Sequence, residues 1–451
     1  MTDRIEYEPN WASLDRHPTP KWFMDAKLGL FVYGPCPTRA EWEAHFKLHG
    51  HMANVKGHVL DHYPDWETAQ AWDQVTWDPH GLAQLAVDAG ARYLVFSDGS
   101  FLMLRPSKVN DVEGSAFMRI GEKDRDYVGD VADAVRARGL RFGLYTNLIH
   151  PGDHPQWIEC TKEAIDRYQP STLWFDGDKM NDTAENMRTK ELLAYYYNHS
   201  DKQDEVAAED ALGSYKRETW GKKLVHGDWY RKETGGVPPD SEISDGYYVR
   251  YEEVTRHDAR SPIERPGGIV NNYVEWLAHT AGHNGNLELT IWMNPNQMPQ
   301  QKRVLRQIGM WLEINGEAIY GTRPWFDGRP QMKTSDGIDV RFTTKEDSLY
   351  AILFDWPRGD YLLMLAYEME VMHRGEFRLP NLRVTEGTTV TLLGRLGELE
   401  WHQTVDGLTV VLSSMDTPPG WHHHTGAEIP CDHAYSFKIT PIPTWFEKNE
   451  W

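Results

Sequence analysis

Along the first two thirds of the chain, short apolar runs alternate with segments in which apolar residues recur every three or four positions. Leu28–Tyr33 (LGLFVY) is a run with no charged residue and reads as a strand. Leu82, Leu85 and Ala86 then fall on one helical face between Pro79 and Gly90, and Arg92–Phe96 (RYLVF) reads as the next strand. Tyr127–Arg138 repeats the helical spacing with Val128, Val131, Ala132 and Val135. Gly139 closes that helix, and Leu140–Tyr145 (LRFGLY) follows as a strand. A helix near Pro155–Tyr168 leads into Thr172–Phe175 (TLWF). Helix then strand, recurring every ~30–45 residues, predicts βα units and a parallel sheet. A stretch of about 320 residues favours a closed (β/α)8 barrel over an open sheet. The open alternative would place a glycine-rich phosphate turn after the first strand, and none is there.

After Gly321–Arg329 the rhythm changes to short alternating runs. These are Val340–Thr343, Ser348–Phe354, Tyr361–Leu365, Thr388–Leu392, Leu408–Leu412 and Ala434–Ile439. Turn residues such as Arg358-Gly359-Asp360 and Asp406-Gly407 separate them, the pattern of an antiparallel β-sandwich. The chain is therefore expected to carry a barrel over 1–325 and a sandwich over 326–451.

Composition narrows the function. With 47 Lys+Arg against 68 Asp+Glu the net charge is −21, the wrong sign for a nucleic-acid or anionic-membrane partner. No apolar run reaches the roughly 18 residues that a membrane helix needs. Cys36, Cys160 and Cys431 are far apart, which argues against a disulfide framework or thiolate zinc site. The opening MTDRIEYEPNWASLDRHP has no apolar segment of the signal-peptide kind, so a cytoplasmic location is the expectation. The 19 Trp and 21 Tyr are mostly core fillers, although flat aromatic faces also stack on sugar rings. Nothing here sets the oligomeric state.

In a (β/α)8 barrel the chemistry sits where strands end and loops leave. Tyr33 ends the first run, Asp98 follows the second, and Thr146, Asn147 and His150 follow the third. Asp176 follows TLWF, with Gly177 leaving space beside it; His226, Asp228 and Trp229 follow Lys223–Val225. This set is rich in carboxylates and aromatics and poor in Lys and Arg, which suits a neutral polyhydroxylated ligand. Paired carboxylates are the minimum equipment for glycoside hydrolysis. Asp176 is the best first member; Glu233, Glu242, Glu252 and Glu264 all lie where a second could be. No metal or other cofactor is expected: His49/His51 and His422–His424 lack the helical spacing of a zinc hydrolase.

Several blocks carry a resemblance to a known family. PKWFMDAKLGLFVYG (20–34), with Glu41-Trp42 after it, is similar to the opening of the α-L-fucosidases of glycoside hydrolase family 29. WDPHGLAQLAVDAGARYLV, DRDYVGDVADAVRARGLRFGLYTN, LWFDGD, HGDWYRKE and GNLELTIWMNP resemble later blocks of that family, in the same order. The resemblance runs over about 15–325 and implies a retaining exo-glycosidase that acts on a terminal α-L-glycoside. In that reading Asp176 is the nucleophile, with Glu242 ranked ahead of Glu233 as acid/base. Tyr33, Glu41, Trp42, Asp98, Tyr145, Trp174, Asp228 and Trp229 are the candidates for holding the sugar.

The family's first strand ends in His-Trp-Gly and its second in Lys-His-His-Asp-Gly-Phe. Here those ends read Val32-Tyr33-Gly34 and Ser97-Asp98-Gly99-Ser100-Phe101. Losing partners for sugar hydroxyls changes which sugar a site prefers, so fucose or a related L-sugar is the expected glycone. The competing expectation is a carbohydrate-binding protein on a degenerate barrel that no longer turns over.

Overall fold

The computed structural model describes residues 4–33, 78–97, 126–147, 154–176, 188–209, 226–232, 249–254, 269–292, 298–357, 376–412 and 430–447. Two compact units emerge, one of Met1–Gly235, Tyr247–Asp258 and Glu288–Leu305, the other of Gly236–Gly246, Ala259–Leu287 and Arg306–Trp451.

In chain order the elements begin with α1 (Trp11–Leu14), α2 (Lys21–Ala26), β1 (Leu28–Tyr33), α3 (Pro79–Asp88) and β2 (Tyr93–Ser97). There follow α4 (Tyr127–Arg136), β3 (Arg141–Asn147), α5 (His154–Tyr168), β4 (Thr172–Asp176), α6 (Thr189–His199) and β5 (Ala207–Ala208). Then come β6 (Tyr230–Lys232), β7 (Val249–Val254), α7 (Ile269–Gly282), β8 (Asn286–Trp292) and α8 (Met298–Asn315). The helices start where their side chains dictate. Asp78 accepts the Gly81 N–H at 2.8 Å and Asp126 the Gly129 N–H at 2.9 Å, each satisfying an otherwise orphaned donor. At the end of α4, Gly139 takes φ +74°, a conformation an L side chain rarely adopts, and turns the chain into β3.

The eight strands form one sheet in the order β5-β4-β3-β2-β1-β8-β7-β6. Parallel register carries one row from Phe31 through Val95, Gly143 and Thr172 to Ala207. The two ends of the order meet through a parallel bridge between Glu209 and Trp229, so the sheet closes into a barrel. Residues of the row's parity fill the inside: Phe31, Tyr93, Val95, Tyr145, Trp174, Ala207 and Trp229 pack with Phe23 and Ala26 of α2. The opposite parity, with Leu30, Leu94, Leu144 and Leu173, is fully buried as well. Burial on both faces is why these strands read as unbroken apolar runs. Glycines make room inside: a Cβ on Gly29 would fall 2.2 Å from the Tyr93 ring, and one on Gly143 2.6 Å from Thr172 Cγ2.

The second unit contains β9 (Gln331–Lys333), β10 (Asp339–Lys345), β11 (Ser348–Leu353), β12 (Glu376–Pro380) and β13 (Leu382–Arg383). It continues with β14 (Thr389–Leu392), β15 (Glu400–Thr404), β16 (Gly407–Val411), β17 (Tyr435–Thr440) and β18 (Thr444–Trp445). Among the described residues β14-β17-β11-β10-β9 form one antiparallel sheet, β12-β16-β15 a second and β13-β18 a short ribbon. Phe342, Ala351, Leu353 and Phe437 of the first sheet share a core with Phe377, Leu379, Leu408 and Val410 of the second. This is a β-sandwich. Arg341 on β10 ties α7 to it, pairing with Glu275 at 3.0 Å and donating to His279 Nδ1 at 3.2 Å.

Candidate active site

The C-terminal ends of β1 to β4 are Tyr33, Ser97, Asn147 and Asp176. Tyr33 is level with Ser97 and Asn147 with Asp176, so these residues share one rim of the barrel. Asp176, the residue that the family resemblance puts forward as nucleophile, is thus the last strand residue of β4. Immediately beneath the rim lies an aromatic wall. Tyr145 and Trp174 have ring centroids 4.8 Å apart, and Phe31 meets them edge-on at 5.2 and 5.5 Å. Trp229 stacks on Phe23 at 5.8 Å across the interior. Tyr145, Trp174 and Trp229 are all buried within this layer. Glu41, Trp42, Asp98, Glu233 and Glu242 lie outside the described residues.

Asp228 occupies a different place from the rim. Its N–H donates to the Ala208 carbonyl and its Oδ2 accepts the Ala208 N–H, both at 2.8 Å. Oδ2 also accepts the Tyr197 hydroxyl at 3.1 Å, and Oδ1 contacts His17 Nδ1 at 2.8 Å. The carboxylate therefore binds β5 to the start of β6, at the seam where the barrel closes. The other ring nitrogen of His17 lies 2.9 Å from the Gln203 carbonyl, which can only accept, so Nε2 is a donor. With Asp228 already accepting from two protein donors, the pattern assigns the second ring proton to Nδ1, an imidazolium paired with a carboxylate. Burial by itself would lower the pKa of His17. The Asp228 charge, the hydrogen bonds to Asp228 and Gln203 and the charge of Asp204 outweigh it and raise the value. The ring also lies flat on Tyr197, with centroids 3.8 Å apart. Burial, followed by the Asp228 charge, lifts the Tyr197 phenol well above its usual range and keeps it a neutral donor.

The segment that carries His17 is fastened along its length. Tyr7 and Asn198 exchange hydrogen bonds at 2.9 and 2.8 Å, and Ile5 and Gln203 do so at 3.0 and 2.6 Å. Trp11 stacks on His226 at 3.8 Å, and His226 Nδ1 contacts Asp15 at 2.9 Å. Sequence reasoning overlooked this strap because its contacts join positions about two hundred residues apart and leave no local pattern. It also overlooked Glu209, which is buried at the end of β5 and bridged to Trp229. Among the described residues no group of His, Cys, Asp and Glu is arranged to hold a metal ion.

The family model "Alpha-L-fucosidase" matches residues 1–317, and "Alpha-L-fucosidase C-terminal domain" matches 333–440. The chain belongs to the α-L-fucosidase family. It is a glycoside hydrolase of the α-L-fucosidase-like kind, acting on O-glycosyl bonds. The tissue alpha-L-fucosidase of Rattus norvegicus is 29% identical, over 97% of this chain and 93% of its own. The Homo sapiens tissue enzyme is 28% identical, over 97% and 92%. A crystal structure of the Thermotoga maritima alpha-fucosidase with a mechanism-based inhibitor superposes with a TM-score of 0.67 at 24% identity. It covers 96% of this chain and 100% of that one, and supports the same fold, a barrel followed by a β domain.

Proposed function

We propose that this family member hydrolyses a terminal α-L-glycoside, a fucoside or a related L-sugar, with retention and with Asp176 as nucleophile. The observation that carries the reading is the position of Asp176, the last residue of β4 on the rim of a closed parallel barrel. Trp174, two residues earlier on β4, lies in the interior aromatic layer.

In the first step the Asp176 carboxylate forms a bond to the anomeric carbon while the glycosidic C–O bond breaks. A second carboxyl gives its proton to the departing oxygen. In the second step that group, now a carboxylate, takes a proton from water. The water oxygen bonds the anomeric carbon and Asp176 leaves with its electron pair. Glu242 and then Glu233 remain the candidates for the second group.

The test is a panel of aryl α-L- and α-D-glycosides, with the first-formed anomer followed by NMR and with Asp176→Asn in parallel. Turnover of an α-L-glycoside with retention, lost by several orders of magnitude in a folded Asp176→Asn, is the expected result. Binding of sugars without turnover of any member would replace the reading with a carbohydrate-binding protein.

A further inference from the structure

Glu209 lies one residue past β5, and its N–H donates to the Leu173 carbonyl at 3.1 Å, continuing the β4–β5 register. That register sets Leu173 beside Ala208. Glu209 is therefore level with Trp174, and Asp176 is two residues further up the neighbouring strand. Two residues of strand rise about 6.6 Å and adjacent strands lie about 4.8 Å apart, so the two backbones are ~8 Å from each other. Ala207, two residues before Glu209, and Trp229, its bridge partner, both belong to the barrel-interior cluster. Glu209 shares their side and is 3% exposed.

We propose that Glu209 is a specificity-determining residue, accepting hydrogen bonds from ring hydroxyls of the bound sugar. The inference rests on the reading that the barrel mouth holds a sugar against Asp176. A general acid must reach the leaving oxygen, which in an exo-acting site points out of the mouth. Glu209 lies on the inner side of Asp176, where the ring hydroxyls come and the leaving group does not. A carboxylate has about four acceptor positions, the number needed to take up a vicinal diol beside contacts within the protein. Shielded from bulk water, those bonds discriminate more sharply than they would at the surface. Two carboxylates one layer apart also repel an anionic ring, so the substrate class is neutral glycosides, with uronides refused.

The full-length protein and the E209Q and E209A variants are compared on aryl α-L-fucosides bearing good and poor leaving groups. The same comparison uses substrates lacking one ring hydroxyl at a time. E209Q is expected to lower kcat/KM by about 100-fold for both leaving groups, the worth of hydrogen bonds to a charged acceptor. Deleting the partner hydroxyl should cost the unaltered protein a similar factor and E209Q less than about threefold, because the two changes remove the same contact. An E209Q variant within about threefold of the parent on every substrate overturns the proposal. So does a loss confined to poor leaving groups, which would make Glu209 the acid. The deoxy series on the unaltered protein needs no variant to fold. If no single deletion there costs more than about threefold, the proposal fails as well. Absence of turnover by the unaltered protein would instead fail the functional reading, and this inference with it.

Discussion

His17 and Asp228, 211 positions apart, meet as a buried ion pair with Nδ1 and Oδ1 2.8 Å apart and each side chain 1% exposed. The pair sits on the seam between β5 and β6, and both partners hold further hydrogen bonds. Removing His17 leaves a carboxylate in the protein without its countercharge. His17→Gln is therefore expected to destabilise the first unit by about 3–5 kcal/mol. Urea unfolding followed by tryptophan fluorescence measures it. A change below about 1 kcal/mol, typical of an exposed pair, would show that the seam does not depend on this contact.

The same pair makes stability depend on pH. His17 has a folded-state pKa above its ordinary value, so the folded protein holds the proton more tightly than the unfolded chain. The contribution is complete below the unfolded value of about 6.5 and fades as pH rises through the raised folded value. The stability difference between the parent and His17→Gln should thus be largest in mildly acidic buffer and shrink towards alkaline pH. A difference that grew with pH would contradict the assignment of an imidazolium.

Inside the barrel, the absence of a side chain at position 143 leaves space for neighbours. A Cβ there would stand 2.6 Å from Thr172 Cγ2 and 2.7 Å from Val95 Cγ2. Gly143→Ala is expected to overpack the interior and lower stability by about 1–3 kcal/mol. Because Thr172 begins the strand that ends in Asp176, activity should fall along with the denaturation midpoint. An unchanged midpoint would mean that the interior yields without cost.

Much of the barrel could be read from the chain alone. Leu28–Tyr33 is a strand over the same residues, and the next three strands agree to within about two positions, a normal boundary scatter. They were legible because burial on both faces forces an apolar run. β5 was not: it is two alanines, which carry no strand signal, and so Glu209 had no run in front of it to mark a strand end. Asp228 shows the other limit. As a polar residue after an apolar run it looked like a rim group, and only its distant partner His17 reveals that it fastens the seam. In the sandwich, β10, β11, β14, β16 and β17 follow the alternating runs closely. β15 (Glu400–Thr404), a solvent-facing edge strand without an apolar alternation, does not.

The seam also sets an order in time. Chains are made from the first residue onward, and the strap that carries His17 emerges long before its partner. Its contacts with Asp228 and Gln203 close some of the longest loops in the first unit, and long loops are entropically slow to close. On the ribosome, the strap can pair with Asn198 and Gln203 first, but His17 must wait for its countercharge until position 228 has left the exit tunnel.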